Sequence, residues 1–415
     1  MRKFFTFILI FIAISLFAKP FHFVVMGDNR PSYKYQPYIY YKITKQIADL
    51  KPDFIVSTGD IIAGHDDNPA VIDSMYRDFL DASKSIEYIP LYIAPGNHEE
   101  TDEKELKPIF LKYFKKTYQS FTYNNSYFII LNTNEPGFKY QIAGKQYRWL
   151  KKQLNKANKE EYKHIFVFIH HPLYPKIHHI GSSLDKFPEE RDKLVKLFKD
   201  KNVETVFAGH VHIYNNSFIN GIHQIITGGA GAPLYSKDYA NGGFYHFLYI
   251  TVDDNEVNYA IIPVENELRQ TIKAYKKGNK DQARACLKEA IKFMPDHPEV
   301  LFTRYLLVKD KNIIKKDIFS KISKRLGSEY NAYIGLAHFF YNHGFEADAK
   351  LMYEAAIKIS PENQEPYFRL ARIYEKNNEK DTALQYYKLA LKYTKKQRYL
   401  LYLMKKIKEL QGGKL

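Results

Sequence analysis

The chain has a single cysteine, Cys286, in 415 residues. One thiol closes no internal disulfide, so stability has to come from buried apolar surface and from any bound metal. Cys286 sits at an apolar position of a helical pattern and is expected to pack as a small core residue. Tryptophan is also single. No stretch has the low-complexity or apolar-poor composition of a disordered chain. Long apolar runs are scarce. The longest, residues 4–17, is about 14 residues, short of the roughly 20 that a membrane-spanning helix needs. Arg2 and Lys3 precede it and Ala18 follows it, the layout of a secretory signal peptide over residues 1–19. The expectation is therefore an exported protein, periplasmic or extracellular, or anchored if that segment stays uncleaved.

What the chain does have is aromatic and apolar mass: 35 Tyr, 29 Phe and 45% hydrophobic residues, enough to fill two or three domains of roughly 150 residues. The net charge of +16 is uneven. From Val264 onward there are 31 basic and 18 acidic residues, a balance of +13, which leaves +3 for everything before it. The basic half makes an anionic surface a candidate partner. A solvated, lysine-rich helical surface is the plainer reading. Nucleic acid is disfavoured, because the excess lies away from the motifs that carry chemistry.

Residues 20–263 alternate short β-type runs with helical patterns. The runs are 21–26, 53–58, 89–94, 126–132, 164–169 and 204–209; helices are expected over 38–50, 69–84, 104–116, 145–157 and 188–200. This alternation indicates an α/β fold. After Val211 the helices stop. A glycine-centred hairpin is expected in 217–231, and two strands joined by an Asp-Asp-Asn turn in 244–264.

From Val264 the strand signals vanish and a repeat takes over. Gly278, Ala283, Ala290 and Pro295 recur 66 residues later as Gly344, Ala349, Ala356 and Pro361. Ala337, Phe340, Ala349, Tyr353 and Ala356 recur 34 residues later as Ala371, Tyr374, Ala383, Tyr387 and Ala390. Small residues at fixed places let antiparallel helices approach, Gly ends the first helix and Pro follows the second. The pattern resembles tetratricopeptide repeats over about 264–397, with a degenerate unit near 298–329 and a capping helix near 398–411. Repeats of this kind bury a face only by stacking, and the resemblance implies a protein or peptide partner. Packing on the first domain is the alternative.

Chemistry concentrates at the ends of the β-type runs. Five of them lead into Gly27-Asp28, Gly59-Asp60, Asn97-His98, His170-His171 and His210-Val211-His212. Functional groups of an open α/β sheet collect at the carboxyl ends of its strands. Each piece alone is weak, since Gly-Asp is a common turn and His-His-Pro a common loop. The ordered set is specific.

This set resembles the calcineurin-like metallophosphoesterases over about 20–263. The resemblance implies a four-layer αββα sandwich ahead of the all-α repeats, with two metal ions in its cleft. Asp60 would bridge the ions, Asp28 and His212 would hold the first, and Asn97, His170 and His210 the second. His98 matches the family's catalytic histidine. Mixed oxygen and nitrogen ligands without thiolate suit Mn, Fe, Zn or Co. The implied reaction is hydrolysis of a phosphate monoester or diester by a hydroxide held between the metals.

One position departs from the family pattern: Arg30 stands where Asp-x-His would place histidine. Three readings stay open. Arg30 clamps a substrate phosphate, it is a plain loop residue, or Tyr33 or Tyr35 supplies the missing ligand as in purple acid phosphatase-like members. The run 170–174, "HHPLY", resembles that branch. His171 is a candidate substrate contact, His65 a candidate cleft residue and Glu99 a candidate orienter of His98. His22 reads as packing, and His178 and His179 as loop residues. The rival reading of the whole is a repeat-based adaptor with an inactive phosphoesterase domain.

Overall fold

A computed structural model of the chain describes residues 19–31, 35–66, 68–99, 101–102, 106–254, 256–308, 312–394 and 397–412. Residues 1–18 of the proposed signal peptide lie outside the described residues, as does Tyr33. Two sheets stack face to face. The first takes strands β1 (Phe21–Met26), β2 (Phe54–Ser57), β3 (Leu91–Ile93), β10 (His246–Val252) and β11 (Val257–Pro263) in the order β11-β10-β1-β2-β3. The second takes β4 (Gln119–Tyr123), β5 (Ser126–Ile130), β6 (His164–Phe168), β7 (Thr205–Ala208), β8 (Tyr214–Ile219) and β9 (Ile222–Thr227) in the order β4-β5-β6-β7-β9-β8. β1, β2 and β3 run parallel, as do β5, β6, β7 and β9.

Side-chain alternation explains the layers. Phe23 and Val25 of β1, with Phe54 and Val56 of β2, face Phe128, Ile130, Phe166, Phe168 and Phe207 of the second sheet. Many phenylalanine rings meet there, Phe23 and Phe54 stacked at 5.2 Å. Val24 and Met26 point the other way, onto Ile39, Ile43 and Ile47 of α1 (Tyr38–Leu50), Tyr76 and Phe79 of α2 (Pro69–Ala82) and Phe110 of α3 (Lys107–Phe114). The outer face of the second sheet packs on Leu150 and Leu154 of α4 (Gly144–Lys159) and on Leu194 and Phe198 of α5 (Pro188–Asp200). The result is an αββα sandwich. Parallel strands covered on both faces must be apolar throughout, and this is why the runs look continuous in the sequence.

The hairpin in 217–231 is β8–β9, turned by Asn220 and Gly221, both at positive φ. β10 and β11 pair across the acidic turn. β4, paired to β5 through Asn124 at positive φ, is a strand the sequence reading left unassigned. Its residues are only partly buried at the sheet edge, so its pattern carries little apolar signal.

The helices that follow are α6 (Glu267–Lys276), α7 (Lys280–Phe293), α8 (Pro298–Leu307), α9 (Asn312–Leu326), α10 (Glu329–Asn342), α11 (Glu346–Ile359), α12 (Gln364–Lys376), α13 (Lys380–Tyr393) and α14 (Gln397–Leu410). Ala283, Ala290, Ala337, Ala349, Ala356, Ala371, Ala383 and Ala390 are all buried, where a larger side chain would push helices apart. Gly278 and Gly344 follow α6 and α10 at positive φ, and Asn378 takes the same conformation one repeat later. Cys286 on α7, expected to be a core residue, is instead partly exposed.

The repeats pack on the sandwich. Tyr38 stacks edge-on against Phe293 and donates to Glu267 (3.2 Å). His297, at the start of α8, is buried. Its Nδ1 accepts from Glu299 N–H, so Nε2–H donates to the carbonyl of Gln36 (3.0 Å). Gln36 in turn bonds Asn29 (3.0 Å) and the Ile61 carbonyl (2.9 Å), neighbours of Asp28 and Asp60. Tyr35 packs beside His297 and Phe302 in this seam.

Candidate metal centre

Every ligand-type residue singled out in the sequence lies at the carboxyl end of a strand, on one rim of the sandwich: Asp28 after β1, Asp60 after β2, Asn97 and His98 after β3, His170 and His171 after β6, His210 and His212 after β7. They are brought together in two buried groups. Asp28, Asp60 and His212 form one; His170, His171 and His210 form the other, ligand atoms in each lying within 4.8 Å of one another. Asp60 borders both, with Oδ1 3.3 Å from His170 Nε2 and Oδ2 toward Arg30 and His98.

Local backbone strain holds these side chains in place. Asp28, Asp60 and His210 have φ of 59°, 54° and 67°, the left-handed region that non-glycine residues avoid. Such strain is tolerated where surroundings over-determine it. His210 N–H donates to both oxygens of Asp28 (3.1 and 2.9 Å), and His98 N–H donates to Asp60 Oδ1 (3.0 Å). Two glycines keep the space clear. A Cβ on Gly96 would meet Asp60 Oδ1 at 2.2 Å, and one on Gly209 would meet Asp28 Oδ2 at 2.5 Å.

The donor set fits a cation. His170 Nδ1 donates to the Thr58 carbonyl (2.8 Å), which leaves Nε2 as a lone pair in the neutral ring. That atom faces Asn97 Oδ1 (3.1 Å), His210 Nδ1 (3.2 Å) and Asp60 Oδ1 (3.3 Å). A proton satisfies one pair of these atoms; a metal ion satisfies all of them. His212 is oriented the same way, Nδ1 on the Pro233 carbonyl (2.8 Å) and Nε2 3.5 Å from Asp28. A backbone carbonyl behind each imidazole is the outer support that metal-binding histidines use.

Charge is balanced against burial. Burial and the Asp60 charge push Asp28 well above the usual carboxylate range. For Asp60 burial acts upward too, but His170, His98 and Arg30 outweigh it and hold the group down. Burial pushes His98 and His212 down to about 3.

Several expectations are corrected here. Glu99 does not orient His98. Its oxygens accept backbone N–H from Gly96 (2.6 Å), Asp60 (2.8 Å) and Ile61 (2.8 Å), tying the β2 and β3 loops together. His98 is oriented by the Ala63 carbonyl at Nδ1, and its Nε2 lies 3.8 Å from Asp60. Tyr35 is no ligand, being turned into the repeat seam. His171 is wholly buried; Nδ1 pairs with Thr133 (2.7 Å), and Nε2 has no hydrogen-bond partner. It lies in one group with His170 and His210. Arg30 is partly exposed, with Nε 3.6 Å from Asp60 Oδ2. His65 is exposed, and its ring meets that of His98 at 4.3 Å, tilted by 56°. His179 lies over His210 at 4.0 Å, so it is more than a loop residue.

Sequence reasoning missed Tyr235, Thr58 and Thr133. Tyr235 stacks flat on His212 at 4.3 Å and bonds His179 Nε2 (2.9 Å). No sequence signal marks it, because it lies in an irregular loop. Thr133 follows the one β-type run that ends without a ligand, a position that could have been suspected of a supporting role.

Comparison with known proteins agrees with this geometry. Residues 21–214 match the calcineurin-like phosphoesterase family model, and 346–407 match a tetratricopeptide-repeat model. Fe(3+)-Zn(2+) purple acid phosphatase 12 of Arabidopsis thaliana is 28% identical over 190 residues, 41% of this chain and 37% of that protein. Serine/threonine-protein phosphatase CPPED1 of Danio rerio is 26% identical over 211 residues, 46% of this chain and 66% of that protein. The chain thus spans between about a third and two thirds of these relatives. Among solved structures, purple acid phosphatase PPD1 of yellow lupin aligns with a TM-score of 0.48 at 20% identity, over 59% of this chain and 52% of that one. The N-terminal sandwich thus resembles the calcineurin-like metallophosphoesterases, and the C-terminal helices resemble tetratricopeptide repeats.

Proposed function

We propose that the chain is an exported, metal-dependent phosphoric ester hydrolase with two ions in its centre. The observation that carries this reading is the convergence of Asp28, Asp60, Asn97, His170, His210 and His212 at one rim, in two groups, with Asp60 of the first 3.3 Å from His170 of the second. Relatives named as phosphatases support it. When bound, the ions would supply the Lewis acidity that activates water and steadies phosphoryl oxygens.

The chain's own residues do the rest. Asp28 and His212 would hold one ion and Asn97, His170 and His210 the other, with Asp60 available to both. His98 Nε2 lies 3.8 Å from Asp60 Oδ2 and, in its protonated form, would give its proton to the leaving oxygen. Arg30 is a fixed cation at the mouth that binds non-bridging phosphate oxygens. The repeats offer a stacked helical surface to a protein or peptide partner. The basic n-region and apolar run at the N-terminus support export; fractionation of cells expressing the full chain checks it.

Purified protein supplied with Mn²⁺ is expected to hydrolyse a chromogenic phosphate monoester or diester. Asp60→Asn should lower the rate at least about a hundredfold, because it loosens both ions at once. No turnover of either ester with Mn, Fe, Zn or Co, or full activity in Asp60→Asn, would leave the adaptor reading standing instead.

A further inference from the structure

We infer that the two ions are held unequally: the ion beside Asn97, His170 and His210 binds first and is retained, while the ion beside Asp28 and His212 binds weakly and exchanges, because Arg30 occupies that side of Asp60. The inference rests on the two-ion reading above.

Ligand supply differs first. Around His170 Nε2 stand Asn97 Oδ1, His210 Nδ1 and Asp60 Oδ1, all within 3.3 Å. His171 belongs to the same group, and its buried Nε2 has no hydrogen-bond partner. Four side chains therefore serve this ion, with a further nitrogen beside them. The other group offers three side chains, Asp28, Asp60 and His212. Both sets are pre-oriented to the same degree, through carbonyls behind His170 and His212. Pre-organisation therefore does not separate them.

Charge differs second, in the same direction. Arg30 is charged at all working pH values. Its Nε is 3.6 Å from Asp60 Oδ2, and its own N–H donates to the Asp60 carbonyl (2.8 Å), so the backbone keeps it there. The same Nε is buried and makes no hydrogen bond. An incoming dication on that side meets a carboxylate already shared with a guanidinium. It also meets direct repulsion in a medium of reduced dielectric. The Oδ1 side of Asp60, facing His170, meets the neutral His98 N–H (3.0 Å) instead of a guanidinium. A phosphate anion that engages the guanidinium weakens that competition, so anion and second ion should reinforce each other's binding.

The test is calorimetric titration of metal-free, full-length protein with Mn²⁺, with metal content measured after dialysis against a weak chelator. Two events separated at least about tenfold in Kd are expected, the ratio that about 1.4 kcal/mol represents. One ion per chain should survive dialysis. Asp28→Asn should leave that retained ion in place, and His170→Ala should remove it. Arg30→Met, which deletes the charge without adding a ligand, should tighten the second event about tenfold. Inorganic phosphate should tighten it in the parent protein and not in Arg30→Met. Two equal events in the parent, retention of two ions, loss of the retained ion in Asp28→Asn, or no change in Arg30→Met would each overturn the inference. Absence of any metal binding would instead remove the two-ion reading itself. Should Arg30→Met fail to fold, dialysis of the parent and of Asp28→Asn still decides which ion stays.

Discussion

Glu99 shows how much of the centre rests on one carboxylate that touches no ligand side chain. It accepts N–H groups from the loops after β2 and β3, and those loops present Asp60, Asn97 and His98. Burial and the Asp60 charge push its carboxyl upward, against the pull of those N–H donors. Both its oxygens face donors, so Glu99→Gln would turn an amide NH₂ toward backbone N–H groups. Each orphaned buried donor costs about 1–3 kcal/mol. A loss of about 2–5 kcal/mol is expected, read as a lowered unfolding temperature, together with weaker Mn²⁺ binding by titration. His98 makes the complementary case. It is held by the Ala63 carbonyl at Nδ1, with Nε2 beside Asp60. His98→Ala should therefore leave metal content unchanged and cut turnover by about 10²–10⁴-fold, the usual worth of a positioned acid.

At the scale of elements, the strand ends decide where ligands go and the glycines decide whether they fit. Gly96 opens the loop after β3 with no room for a methyl group beside Asp60. Gly96→Ala should displace Asp60 and raise the Kd for the retained ion at least about tenfold, while sheet content by circular dichroism stays unchanged. An unaltered Kd would show that the loop can shift aside. The repeats follow a different rule. Their buried alanines set helix spacing, and Gly278, Gly344 and Asn378 set the turns. No chemistry depends on them, and their pattern is legible at a distance because each unit repeats the same packing problem.

For the molecule as a whole, the seam between repeats and sandwich ends close to the metal loops. His297 reaches the Gln36 carbonyl, and Gln36 reaches Asn29 and the Ile61 carbonyl. Burial pushes His297 down to about 3, and His246, buried on β10, down to about 4. Unfolded, each titrates near 6.5. Between these values the unfolded chain takes up a proton that the folded chain refuses. Stability is therefore full above about pH 7 and falls as the pH drops below 6.5. By pH 5 each histidine should cost about 2 kcal/mol, at 1.36 kcal/mol per unit of pH below 6.5. Unfolding temperature measured from pH 8 to pH 5 should fall accordingly, and His297→Gln should flatten part of that slope. A pH-independent unfolding temperature would contradict it.

The sequence by itself determined the order of strands and helices apart from β4, the ligand residue types at five strand ends and the repeat period. These are local properties: apolar runs covered on both faces, glycines at turns and alanines at packing points are written in short windows. Tertiary structure decided what no window contains. Glu99 became a loop clamp, His171 joined the histidine group, Tyr35 turned into the seam and Tyr235 came to lie on His212, because each of those outcomes depends on an element far away in the chain. Arg30 divides the two levels. Its charge and its place after Asp28 are plain in the sequence, but that it shares Asp60 from the side opposite His170 depends on how the loops after β1, β2 and β6 meet. Burial there leaves a carboxylate few partners, so its nearest cation decides which ion it can hold.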